Sequence, residues 1–117
     1  MNTYESYAKE EDTMIVVTTS EIPGKQIQEV KGLVQGSTVQ TKNVGRDIGA
    51  GLKSLVGGEI KGYSDMMEQA RNIALKRMIK EAEKHHANAV IGMRFQTSSV
   101  MGGASEVIAY GTAVVVE

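Results

Sequence analysis

The chain has 117 residues, no cysteine, and 13 Lys and Arg against 14 Asp and Glu, for a formal net charge of −1. That balance excludes a disulfide or zinc-thiolate framework built from this chain alone, and the basic stripe that holds nucleic acid or an anionic membrane. With 41% hydrophobic and 23% charged residues, the composition is that of one ordinary globular domain.

Residues 1–13 are polar and weakly periodic, and are read as a flexible or helical lead to a single domain at 14–117. They contain no apolar core of the kind a signal peptide needs, and no apolar run in the chain reaches the roughly 18 residues that span a bilayer. A cytoplasmic protein is the expectation. The β-branched run Met14 to Thr19 predicts the first strand, and Pro23-Gly24 the turn after it. Gln26 to Thr41 reads as a long strand whose apolar residues change parity: Ile27 and Leu33 are odd, Val30 and Val34 even. A bulge or bend near Gly32 would reconcile them.

Between Asn43 and Tyr63, six of 21 residues are glycine, yet Val44, Ile48, Leu52 and Leu55 keep a helical spacing. Each helical glycine costs about 1 kcal/mol relative to alanine. Gly45, Gly49 and Gly51 are therefore expected to admit a ligand or another backbone. Gly57-Gly58 and Gly62 are read as a loop, and Ser64 as the N-cap of a second helix running to about His86. Its predicted buried stripe is Tyr63, Met67, Ala70, Ala74, Met78 and Ala82.

Ile91, Met93, Phe95 and Thr97 alternate with Gly92, Arg94, Gln96 and Ser98, which predicts a strand with those four on one face. Gly102-Gly103 returns the chain. In Glu106 to Val116 both faces are apolar: Val107, Ala109, Ala113 and Val115 on one, Ile108, Tyr110, Val114 and Val116 on the other. Two helices cover one side of a four-stranded sheet. The second side then calls for another copy of the chain. The element order strand, strand, short helix, long helix, strand, strand predicts an α+β layer with an antiparallel sheet.

Named nucleotide motifs are absent. Leu52 separates Gly51 from Lys53-Ser54, which breaks a phosphate loop, and Gly49-Ala50-Gly51 has no third glycine at the dinucleotide spacing. His85 and His86 are adjacent, so on a helix they diverge by about 100° and form no ligand pair. Met67 and Met78 fall on the buried stripe, where methionine fills core. No catalytic residue, metal ligand or cofactor is assigned.

The segment Asn43 to Glu59, with Ala87-Asn88-Ala89-Val90-Ile91-Gly92-Met93-Arg94-Phe95 and Tyr110-Gly111-Thr112-Ala113-Val114, closely resembles the YbjQ-like family. Its members are small bacterial and archaeal proteins that carry a heavy-metal-binding label and no established reaction. The resemblance runs from Met14 to the C-terminus. It implies a dodecin-like two-layer subunit, an antiparallel sheet on two helices, assembled as a homopentameric ring. Members usually carry Leu-Gly where this chain has His85-His86, so His86 is expected in the left-handed region that suits a helix C′ glycine, with Asn88 as the competing candidate because Asn also tolerates positive φ. The reading is a non-catalytic homo-oligomer holding a small anion or metal at subunit junctions, near Asn43, Arg46, Asp47 and Lys53, where neighbouring glycines leave backbone N–H groups accessible. Its rivals are an enzyme with a site shared between subunits and a metal carrier.

Overall fold

The computed structural model describes residues 14–40, 56–100 and 104–117. Strands β1 (Ile15–Val16), β2 (Ile27–Gln40), β3 (Ala89–Ser99) and β4 (Ser105–Val116) form one sheet in the order β1-β3-β4-β2, with helix α1 (Val56–Lys84) against it. The α+β class follows. The sheet is mixed and not antiparallel as expected, because β1 runs parallel to β3. The physical reason lies in residues 17–26. Pro23-Gly24 does form a turn, with Gly24 at φ 84° and Lys25 N–H donating to Ile22 O. That turn joins no hairpin. It lies in a connection that takes the chain from one border of the sheet to the other, where β2 pairs with β4.

Among the described residues there is one helix. Residues 1–13, 41–55 and 101–103, and the side chains of residues 56–61 and 63, lie outside them, and with them the short helix expected over Val44 to Leu55 and the return expected at Gly102-Gly103. Two local expectations fail. Gly57, Gly58 and Gly62 are helical rather than a loop, and Ser64 is an exposed helix-interior residue rather than an N-cap. They form the start of a 29-residue helix, and helix formation is cooperative, so poor local propensity does not set where it begins. The buried face of the helix is as expected: Ala70, Ala74, Met78 and Ala82 are fully buried, Leu75 and Ile79 join them, and Met67 packs alongside.

The alanines bring α1 close to the sheet, and at Gly36 the contact becomes backbone to backbone. A Cβ built there would lie 2.5 Å from the Ala74 carbonyl oxygen and 2.6 Å from Arg77 Cβ, and would overlap the Met78 nitrogen.

Bulges set which side chains share a face. In β2 the register shifts twice, between Ile27 and Glu29 and again between Val30 and Gly32, the latter at φ 113°. The expected bulge is present, with a second beside it. Together they place Ile27, Val30 and Leu33 opposite Val116, Val114 and Thr112, all on the side away from the helix, while Val34 faces α1. In β3 a shift between Ile91 and Arg94, with Gly92 at φ 62°, breaks the predicted alternation. Met93 and Phe95 pack with Val90 toward α1, whereas Ile91 joins Ala89 on the opposite side. Gly111 makes room for this bulge, since a Cβ there would meet Val90 Cγ1 at 2.6 Å and Ile91 O at 3.1 Å.

Candidate functional site

The residues singled out for ligand binding, Asn43, Arg46, Asp47 and Lys53, lie outside the described residues. Two other regions carry unusual geometry: the exit of α1 and the sheet face that the helix leaves uncovered.

At the exit, His86 N–H donates to Glu83 O at 3.0 Å and Ala87 N–H to Ala82 O at 3.1 Å, the paired bonds of a Schellman cap. His86 takes the left-handed position at φ 63°, as the sequence predicts. Ala87 and Ala82 are both buried and supply the apolar contact that accompanies such a cap. A non-glycine residue there costs about 1–2 kcal/mol of strain. His86→Gly is therefore expected to stabilise the protein by about 1 kcal/mol, a little of the relief being lost to the greater entropy of an unfolded glycine. Denaturant unfolding checks this, and an unchanged or lowered midpoint would contradict it.

Immediately after the cap, Asn88 ties three elements together. Its Nδ2 donates to Val116 O at 2.9 Å and its Oδ1 accepts from Val116 N–H at 2.8 Å. Its own N–H donates to Val114 O, and its carbonyl accepts from Ile15 N–H. The side-chain amide acts as one more strand residue beside β4. This explains Ala-Asn-Ala: the alanines are buried while the amide between them pairs with backbone.

The uncovered side of the sheet is apolar at both ends. Near β1, Ile15, Ile22 and Ile91 pack over Ala89, Val114 and Val116. Along β2, Ile27, Val30, Leu33 and Val39 remain 40, 63, 70 and 50% exposed. All four face away from α1, and half-buried Ile108, Tyr110 and Thr112 of β4 lie beside them. Arg94, opposite Tyr110 on this side, is held over the border with β1 by Nη1 bonds to Thr18 O at 2.9 Å and Met93 O at 2.8 Å. Ile27, Val30 and Leu33 are successive on that face, with Gln35 and Ser37 between them and Val39, and three adjoining aliphatic side chains are more than a scatter of single exposed ones. Full burial of each is worth about 1.5–3 kcal/mol. The expectation of an apolar second face on β4 holds. The row on β2 emerges only with the two bulges.

A family model described as "Putative heavy-metal-binding" matches residues 14–117. A UPF0145 protein of Halalkalibacterium halodurans is 64% identical over 104 residues, covering 89% of this chain and 98% of its own. Another, from Thermotoga maritima, is 56% identical with the same coverage of both chains. A crystal structure of a protein of unknown function of the DUF74 family, from Pediococcus pentosaceus, superposes with a TM-score of 0.60 at 21% identity, over 89% of this chain and 98% of that one. It supports the fold alone.

The described residues bring together no donor set for a heavy metal. Among the described residues no three His, Asp or Glu side chains converge, and the chain has no cysteine. His85 Nε2 lies 3.9 Å from Glu81 Oε1 on an exposed helix face, and Glu81 also accepts from Lys84. An exposed pair one turn apart is the geometry of a weak surface ion pair. No helix among the described residues is long and apolar enough to cross a membrane. On a match that spans the described domain, and on relatives identical at more than half of the aligned positions, the chain belongs to the YbjQ-like, UPF0145 family.

Proposed function

We propose that this chain is a non-catalytic subunit of a cytoplasmic homo-oligomer, a dodecin-like ring whose uncovered sheet face is buried against neighbouring copies. One observation carries this reading: Ile27, Val30 and Leu33 stand exposed in succession on the face opposite α1, with Val39 exposed beyond Gln35 and Ser37 on the same face. A second copy is the occupant that places an equally apolar surface against it at equal concentration. Five copies is the number that the family resemblance implies. A small anion or metal held at the subunit junctions is the accompanying activity, with Asn43, Arg46, Asp47 and Lys53 as its first residues to test.

Light scattering tests the assembly. The expected mass is five times the 12.6 kDa of one chain. Leu33→Asp places a charge on the exposed row without touching the core, so it is expected to release monomers that keep the wild-type circular dichroism spectrum. A wild-type mass of one chain would overturn the reading. Native mass spectrometry of the intact assembly, with phosphate and zinc offered separately, tests the junction ligand.

A further inference from the structure

Among the described residues β2 is the last strand of the sheet, 14 residues long, with exposed Ile27, Val30, Leu33 and Val39 on the face away from the helix. Such an edge is a template for pairing with further strands. Two features blunt its first half. The bulges between Ile27 and Gly32 break the ladder and turn the strand, and Lys31 forms a 3.1 Å ion pair with Glu29. Both are devices by which natural sheets discourage edge pairing. The second half, from Leu33 to Gln40, has neither.

Arg77 stands over that second half. Its Nη1 donates to Ser37 O at 2.7 Å. The direction of that carbonyl follows from the ladder. Gln26 and Glu117 exchange both N–H···O bonds, and bonded and non-bonded pairs alternate from there through the two bulges. The alternation makes Ser37–Ile108 a non-bonded pair, so the Ser37 carbonyl points away from β4 and out of the sheet. Arg77 is held in place by the same contact that makes Gly36 indispensable, for its Cβ lies 2.6 Å from where a Gly36 Cβ would be. A strand adding to this edge would have to take the Ser37 carbonyl as an acceptor, and the guanidinium already occupies it.

We propose that Arg77 is an edge block: it denies strand addition along Leu33 to Val39, so that copies meet through the face of the sheet and not through its border. The second clause rests on the self-association reading above; the block itself does not. The test uses Arg77→Met, which keeps the aliphatic stem over Gly36 and removes the donor. A fluorescent peptide copying residues 33–39 is titrated against wild type and variant. Losing a charged hydrogen bond from the site that the peptide must enter should tighten its binding about tenfold. The variant is also expected to grow into thioflavin-binding species at concentrations where wild type keeps one mass. Equal peptide affinity for both proteins would overturn the block, whatever their masses. A monomeric wild type, with the peptide still preferring Arg77→Met, would overturn association through the face and leave the block standing. Should the Met variant lack native circular dichroism, Arg77→Lys decides in its place: its single, more mobile donor should bind the peptide more tightly than wild type, and unchanged affinity would overturn the proposal.

Discussion

Gly36→Ala is expected to destabilise the protein by about 3 kcal/mol or more, or to prevent folding outright. Overpacking a filled core costs about 1–3 kcal/mol when side chains can shift. Here the new methyl would meet the Ala74 carbonyl oxygen at 2.5 Å and the Met78 backbone nitrogen, atoms that belong to the helix itself. The helix would have to lift from the sheet, loosening the buried stripe of Ala74, Leu75 and Met78 at once. Gly111→Ala supplies the contrast. Its nearest obstacle is Val90 Cγ1, the end of a side chain, followed by Ile91 O at 3.1 Å and Met93 Cα at 3.2 Å. A smaller loss, about 1–2 kcal/mol, is expected there. Denaturant unfolding of the two variants checks the ranking. A Gly36→Ala protein as stable as wild type would show that the helix does not rest on the β2 backbone.

Asn88→Ala is expected to cost about 2 kcal/mol. The change removes two hydrogen bonds and leaves both the N–H and the carbonyl of Val116 without their partner, next to a side chain that is 5% exposed. Each unmade bond at a buried backbone group costs about 1–3 kcal/mol, taken at the low end here because Asn88 itself is exposed. Asn88→Asp separates pairing from packing. A carboxylate keeps an acceptor for Val116 N–H but turns a second oxygen toward Val116 O, so it should be no more stable than the alanine variant. If Asp at 88 retained wild-type stability, the two-bond clamp would not be what holds the end of β4.

The order of the described elements, the alanine stripe of the helix and the two-faced character of the last strand are local periodicities, and they are legible in the residues. So is His86 at the helix end. A strand begins at Ala89, too soon after Lys84 for a gradual exit, and the left-handed residue must come between them. Gly32 betrays its bulge because Ile27, Val30 and Leu33 cannot share one face of a regular strand.

Other features depend on what meets what across the fold. Nothing local says that the glycine mattering most to the helix contact is Gly36, on a strand, since its partner atoms lie about 40 residues away in the chain. Gly57, Gly58 and Gly62 read as a loop because propensity is a local quantity, whereas a helix forms cooperatively along its whole length. The alternation from Ile91 to Thr97 looks regular until Gly92 takes a positive φ, a freedom that sequence permits without announcing. The parallel pairing of β1 with β3 follows from a connection that crosses the sheet, and a two-residue strand carries no mark of its neighbour's direction. Chain periodicity determined which residues would be apolar together. The bulges and the close contact at Gly36 decided which of them the helix covers, and which are left exposed on the open face.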